Sequence, residues 1–302
     1  MPERPATSID PARCNGCGLC VKVCPSQTLS MVDGKARVTG DRSIHCGHCA
    51  AICPTGAVSV AGLDPRLTEL RTVENRPGWL PYGRFDAPAL AQLMKSRRSS
   101  RMFLDRPVPA DFLDDLVRVG ITAPSGTNSQ RWSFVILPDR AAVMRLGRAV
   151  ADFLRRLNRL AESGAARLLA RVFLKDALGQ YYREYYPSVK QGLEDFERGG
   201  RDRLFHGAPA AILIGSHPGA SCPAEDALLA AGQMTLFAHA AGYGTCLIGF
   251  AVEAIRRDGR IRRLLELSPG EQIHAVVAVG KTREWYRKPA DRRPPSVRRW
   301  PA

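Results

Sequence analysis

The sequence has no long apolar run. Its longest apolar stretches, such as Ala208 to Gly215 and Ile273 to Gly280, fall far short of the ~20 residues that a membrane-crossing helix needs. Nor does its start, Met-Pro-Glu-Arg-Pro-Ala-Thr-Ser, carry the apolar centre of a secretory signal. The expectation is a cytoplasmic protein without a membrane span. Acidic residues are scarce, 29 against 44 lysines and arginines, for a formal net charge of +15. Aromatics are scarce too, at 7%, and they are not interleaved with the basic residues as in a single-strand binder. Nucleic acid is therefore not expected as a partner. The charge suits small anions or an acidic protein instead.

Cysteine is nearly absent beyond residue 53. Seven of the nine cysteines crowd between Cys14 and Cys53, and Cys222 and Cys246 stand alone. A disulfide scaffold would spread its cysteines through a small secreted chain. This distribution points instead to metal at one end and an ordinary reduced protein after it. With 302 residues, 45% of them hydrophobic and 24% charged, the chain reads as globular and long enough for two domains.

The metal end has a specific spacing, Cys14-x2-Cys17-x2-Cys20-x3-Cys24-Pro25. One loop can then place three thiolates on three corners of a cubane cluster. Zinc also takes paired Cys-x2-Cys, but seven cysteines with trailing Pro25 and Pro54 favour iron–sulfur clusters. A shift of 29 residues lays Cys17, Gly18, Cys20, Cys24 and Pro25 on Cys46, Gly47, Cys49, Cys53 and Pro54. Thr28 to Met31 then lies on Ala57 to Val60. The region is a duplicated unit. In that register Cys14 falls on Ser43, so the second half lacks its first thiolate.

Residues 1–62 resemble the bacterial two-[4Fe-4S] ferredoxin family. The resemblance implies that Cys14, Cys17, Cys20 and Cys53 hold one complete [4Fe-4S] cluster. Cys24, Cys46 and Cys49 would hold a second site lacking one Cys ligand. Ser43 is expected at the fourth iron, as ligand or beside solvent. A water or His45 ligand, a [3Fe-4S] cluster and an absent cluster stay open. Cys222 is a remote candidate for the missing ligand.

Residues 63–89, rich in Pro and Gly, read as a linker packed on the surface through Trp79, Leu80 and Tyr82. From residue 90 onward, helical and strand patterns alternate. Phe112, Leu113, Leu116 and Val117 predict a helix, and Val143 to Leu160 predict another. Ser133–Leu137, Pro209–Gly215 and Ile273–Gly280 read as buried strands. Asp226 to Ala241 is apolar nearly all round and reads as a central buried helix, with His239 in its core. A helical insertion is expected over about 151–205, and its tyrosines at 181–186 could form a lid. The tail from Lys281 should be extended.

Two loops in this part carry chemistry. Arg97-Arg98-Ser99-Ser100-Arg101 supplies guanidinium forks and hydroxyls suited to a phosphate. Ala123-Pro124-Ser125-Gly126-Thr127-Asn128 supplies small residues for close backbone approach and an amide for a heterocycle edge. With Phe205 to Pro209, Gly242 to Gly249 and the tail to Pro294, these residues resemble the nitroreductase family of FMN-dependent oxidoreductases. The whole chain is similar to its subgroup with a ferredoxin-type domain fused ahead.

The resemblance implies an α+β fold, a nitroreductase-type three-layer α/β/α domain with a mostly antiparallel sheet, assembled as a homodimer. Arg97, Arg98 and Ser99 would bind the FMN phosphate, with Arg292 and Arg293 from the tail. Arg101 would reach the flavin ring, and Ile248 and Gly249 would lie at its reactive edge. Pro124, Ser125 and Gly126 would approach from the partner subunit, and Asn128 belongs to that loop. Gly126 departs from a Ser common in the family, and Arg131 from a Pro. Tyr182 and His217 are the side chains expected to meet a substrate. Cys246 is expected to be a buried small hydrophobe.

Joined, these motifs suggest electrons entering through the clusters, reaching FMN and leaving to a nitroaromatic, quinone or activated alkene. The donor would be an external one-electron carrier such as a ferredoxin or flavodoxin. NAD(P)H stays open, because no Gly-x-Gly-x-x-Gly motif is present and this fold need not use one. Two other readings also stay open: a non-enzymatic electron carrier or redox sensor, and a dehydrogenase passing electrons out through the clusters.

Overall fold

The computed structural model describes residues 7–173 and 175–300. The cysteine-rich part forms β1 (Thr7–Ile9), α1 (Leu19–Val23), β2 (Leu29–Val32), β3 (Lys35–Val38), α2 (His48–Ala51) and β4 (Val58–Val60). Strands β1 and β4 pair antiparallel, as do β2 and β3. The duplication is visible in the backbone. Gly18 and Gly47 precede α1 and α2 with φ of 70° and 74°. Gly16 and His45 match at 76° and 53°, and Gln27 and Gly56 at 51° and 61°. These positions lie in the left-handed region that glycine adopts freely and other residues do not. At Gly16 a Cβ would lie 2.3 Å from the Gly34 carbonyl oxygen. His45, in contrast, carries a side chain at the matching turn.

The connecting segment is anchored differently from the sequence expectation. Trp79, Leu80 and Tyr82 are exposed. The anchor is Asp115, whose fully buried carboxylate accepts the Arg71 amide at 2.9 Å and the Thr72 amide and hydroxyl at 2.7 Å. The long-range partner, not the aromatic content of the segment, decides where it docks.

The larger part follows as α3 (Ala87–Ser96), α4 (Ala110–Gly120), β5 (Trp132–Leu137), α5 (Arg140–Glu162), α6 (Gly164–Phe173), α7 (Ala177–Glu184) and α8 (Tyr186–Glu197). Then come β6 (Ala210–Ser216), α9 (Pro223–Ala240), β7 (Gly244–Leu247), α10 (Gly249–Arg257), α11 (Gly259–Leu264) and β8 (Gln272–Gly280). Helix α3 begins inside the segment that reads as linker: Asp86 caps it by accepting the Ala89 amide, and Pro88 stands in its first turn. The sheet runs β5-β6-β8-β7, with every strand pair antiparallel. Strand β6 is buried along its whole length, as its continuous apolar run requires when both faces are covered. One face packs on α5, α8, α10 and α11 through residues such as Leu146, Leu193, Ile255 and Ile261. The other packs on α4 and α9 through Phe112, Leu116, Ala231 and Met234. This is the expected α+β, three-layer arrangement.

Helix α9 departs from the sequence reading in one respect. Its small residues Ala227, Ala230, Ala231 and Ala238 face the sheet, but Leu228 and Leu229 are exposed at 51% and 47%. His239 is half-buried rather than in the core.

Candidate functional site

The seven cysteines ring two cavities. One is lined by Cys14, Cys17, Cys20 and Cys53 with Asn15, Gly18, Ala36 and Thr55. The other is lined by Cys24, Cys46 and Cys49 with Ser43, His45, His48 and Thr28. Fourfold and threefold sulfur rings, with the ferredoxin-type spacing, fit two clusters rather than two zinc ions. Among the described residues, no three His, Cys, Asp or Glu side chains converge on a single ion. Ser43 lines the second cavity as Cys14, its match in the repeat, lines the first. The Ser43 hydroxyl accepts the His45 amide at 3.2 Å. His48 also lines this cavity, which the spacing argument does not reveal, because its residue in the first repeat is Leu19. Cys222 does not line it.

Electrostatics differ around the rings. Burial pushes the Cys53 thiol up, but hydrogen bonds from Thr55, Ala57 and Val58 outweigh it and bring the pKa down to about 7. The Ala36 and Gly16 amides lower Cys14. Burial raises Cys20 and Cys49. Amides aimed at sulfur favour the thiolate, the form that binds iron, and tune cluster potential.

The candidate flavin residues fall into two groups at opposite ends of α9. The first lies beside edge strand β7. Ser99 bridges to Thr245, and the Ser100 amide donates to the Thr245 carbonyl at 2.8 Å. Cys246 on β7 is buried at 3% exposure. Burial raises its pKa, opposed by Arg101, the Ser99 hydroxyl and Arg97. The turn carrying Arg97, Ser99 and Arg101 thus lies at the base of β7, and Cys246 is a packed thiol. Burial, and then Arg97, hold His239 below its ordinary pKa. Ile248 and Gly249 follow β7 and open α10, and the Cβ that Gly249 lacks would face open space. Such a face lets a flat ring approach the backbone.

Next to this group is an open cleft lined by Arg101, Arg201, Arg283, Asp202 and His206. Three guanidiniums make it anion-attracting, and burial followed by Arg101 lowers the His206 pKa. Arg98 is half-buried on the same turn. Arg292 and Arg293 lie on the exposed tail, where Arg292 donates to the Ala290 and Asp291 carbonyls of its own segment.

The second group precedes β5. Thr127, Asn128 and Gln130 all have left-handed φ, at 51°, 55° and 47°. Non-glycine residues there cost about 1–2 kcal/mol each, so something must hold the loop. Asp226, 3% exposed, accepts the Gly126 amide at 2.9 Å, and its own carbonyl accepts Trp132 Nε1 at 3.2 Å. Asp226 is missing from the motif reading; its one local signal is an acid in the first turn of an otherwise apolar helix. At Gly126 a Cβ would lie 2.8 Å from Cys222 Sγ, which explains why the small residue stands there. Asn128 differs most from expectation. Both its amide protons go to the cluster loop, to the carbonyls of Ile44 at 3.1 Å and His45 at 3.0 Å.

The two groups do not meet within the chain. Gly126 is tied to Asp226, and the turn carrying Arg97 bridges to β7, which follows the His239 end of α9. Those helix residues are about 20 Å apart along α9 at 1.5 Å per residue. Across the sheet, β5 and β7 are separated by three strand gaps, about 14 Å. His217 lies exposed at the β5 end, its amide donating to the Arg131 carbonyl at 2.9 Å. Tyr182 is held between Arg167, 4.3 Å from its ring, and Tyr186, at 4.9 Å. Tyr185 instead packs edge-on to Phe250, the residue after Gly249, at 6.1 Å.

Comparison with known proteins agrees with this anatomy. Residues 13–57 match a 4Fe-4S dicluster domain, and residues 94–281 match the nitroreductase family. The chain is 30% identical over 76 residues to an iodotyrosine deiodinase of Haliscomenobacter hydrossis, covering 22% of this chain and 34% of that protein. It is 35% identical over 60 residues to the Danio rerio iodotyrosine deiodinase, covering 20% of each. It thus spans about a third or less of these two relatives' own length. An NADH dehydrogenase of Thermus thermophilus is 25% identical over 61% of this chain and 82% of that protein. Among solved structures, an FMN-bound nitroreductase from Desulfitobacterium hafniense superposes with a TM-score of 0.49 at 20% identity, over 68% of this chain and 94% of that one. The family match covers more than half of the residues, and the chain therefore belongs to the nitroreductase family of oxidoreductases, carrying a 4Fe-4S dicluster domain ahead of the family fold.

Proposed function

We propose that the protein is an FMN-dependent reductase that takes electrons singly through its cluster domain and passes them to an electron-poor organic acceptor: a nitroaromatic, a quinone or an activated alkene. One observation carries this reading. The loop of the second sulfur ring is hydrogen-bonded to the loop expected at the flavin, through Asn128. A carrier that never used a flavin would have no need of that junction.

When bound, FMN exchanges electrons with the acceptor in pairs and the clusters carry them one at a time. The chain's own residues would hold these groups. Cys14, Cys17, Cys20 and Cys53 would bind one [4Fe-4S] cluster, and Cys24, Cys46 and Cys49 with Ser43 the second. Arg97, Arg98, Ser99 and Arg101 would bind the anionic and polar parts of FMN, joined by Arg292 and Arg293. Ile248 and Gly249 would lie against the ring. Pro124, Ser125 and Gly126 would come from a second copy. The separation of the two groups within one chain supports this homodimer, and so does the uncovered apolar surface of Leu228 and Leu229 on α9 and Leu90 and Met94 on α3. The +15 charge favours an acidic one-electron donor such as a ferredoxin or flavodoxin. The absence of a membrane-length apolar helix among the described residues fits a protein met by such donors.

The test is anaerobic. FMN, iron and sulfide are assayed per chain. The protein is then reduced with a ferredoxin, a flavodoxin or NAD(P)H, the last included because of the likeness to an NADH dehydrogenase. Addition of a nitroaromatic or quinone should restore the oxidised flavin spectrum. A reduced flavin that no acceptor of these classes reoxidises would sink the proposal.

A further inference from the structure

We propose that the cluster domain of each chain serves the flavin bound at the other chain's Arg97–Gly249 edge, and that Asn128 is the positioning residue of this crossed route. The inference rests on the shared FMN site of the preceding subsection. It adds which domain feeds which flavin.

The argument starts at the second sulfur ring. Cys46 lines that cavity, and its neighbour His45 has a left-handed backbone, with its amide on Ser43 and its carbonyl on Asn128. Ile44, one residue earlier, gives its carbonyl to the same side-chain amide. Asn128 therefore grips the ligand loop at two successive carbonyls. On its other side, Asn128 belongs to the loop fixed by Asp226 through Gly126, by the Thr127–Ser221 hydroxyl pair at 2.6 Å and by Ser125 Oγ accepting the Gln130 amide. The ligand loop and the Pro124–Gln130 loop form one docked unit.

That unit lies at the N-terminal end of α9, whereas Arg97 lies at the far end, about 20 Å away. Electron transfer weakens steeply with distance. The unit's own chain offers a flavin edge only at that distance. A second copy whose flavin is completed by Pro124 to Gly126 brings a flavin directly against it. The strain supports the same conclusion: left-handed backbone at Thr127, Asn128, Gln130 and His45 clusters at this junction, and such strain persists where the surroundings over-determine a functional geometry.

The test uses two mixed dimers of the full chain, separated by different affinity tags. In the first, one chain carries Arg97→Ala with Arg101→Ala, and the other carries Cys46→Ala. In the second, a wild-type chain is paired with one carrying all three changes. Each holds one competent flavin edge and one intact second sulfur ring. Crossed transfer predicts magnetic coupling between reduced cluster and flavin by EPR, and rapid flavin reduction, in the first dimer only. Transfer within a chain predicts the opposite pattern and overturns the inference. A monomer by sedimentation, or a wild-type protein free of FMN, overturns the shared-site reading and this one with it. Separately, Asn128→Asp keeps the shape but removes both donors. It should cut the flavin reduction rate by about tenfold, the shift in docking that losing two hydrogen bonds brings, with iron content and cluster EPR intensity retained. Asn128→Gln, which restores the donors, should recover part of the rate. Wild-type rates and coupling in Asn128→Asp would remove Asn128 from the role.

Discussion

Asp115→Ala should detach the segment between the two domains. The carboxylate has no exposure and takes two backbone amides and a hydroxyl from Arg71 and Thr72, with Arg118 Nη1 at 3.3 Å. Hydrogen bonds to a charged group contribute about 1.5–3 kcal/mol each and are not additive, so breaking this buried set should cost about 3–5 kcal/mol. For a domain of this size each kcal/mol lowers Tm by about 2–4 °C. The expected fall is thus about 6–20 °C by differential scanning calorimetry, with faster proteolysis between residues 63 and 89. Asp115→Asn keeps the volume and should fall between wild type and Ala. A pH series adds an independent arm. Burial raises the Asp115 pKa, but the Thr72 hydroxyl and the Arg71 and Thr72 amides outweigh it, so the folded value lies below the ordinary one. The stabilisation is then present above the ordinary carboxylate value of about 4 and is lost as pH falls through the folded value. Acidification should expose the segment in wild type and change little in Asp115→Asn. A Tm drop under about 2 °C in Asp115→Ala, with unchanged proteolysis, would refute the anchoring role.

Three further outcomes are expected. Ser43→Cys should supply a fourth thiolate to the second ring, slowing loss of that cluster in air and shifting its potential, as read by iron content and redox titration. Arg97→Ala should weaken FMN retention by about tenfold or more, as expected for one charge-assisted contact, measured by fluorescence of released flavin. Gly126→Ala should cost about 1–3 kcal/mol through overpacking against Cys222, and Cys222→Ala in the same chain should restore most of the lost Tm.

The cysteine rings are legible in the sequence because their ligands are local. Spacing along one loop and a repeat in register mark the seven cysteines as a duplicated cluster motif, and the ferredoxin resemblance sorts Cys14, Cys17, Cys20 and Cys53 from Cys24, Cys46 and Cys49. The buried strands β5, β6 and β8 are legible as short apolar runs. Strand β7, at the sheet edge and half glycine and polar, gives no such run. What stays hidden depends on partners far away in the chain. Asn128 reads as a heterocycle contact until Ile44 and His45 are seen against it, 84 and 83 residues distant. Asp115 and Asp226 look like ordinary helix acids until the backbone amides they satisfy are known. The tyrosine stripe names four candidates, and only the packing on Phe250 separates Tyr185 from Tyr182.

On the proposed reading, helix α9 holds one part of a flavin site near each end, which would tie cofactor content to protein concentration. If two copies share each FMN, association and flavin binding are linked equilibria: each strengthens the other by mass action, with a logarithmic dependence on ligand excess. Dilution should bleach the protein of flavin, and added FMN should hold the pair together. The yellow colour of a preparation would then report how much of it is assembled.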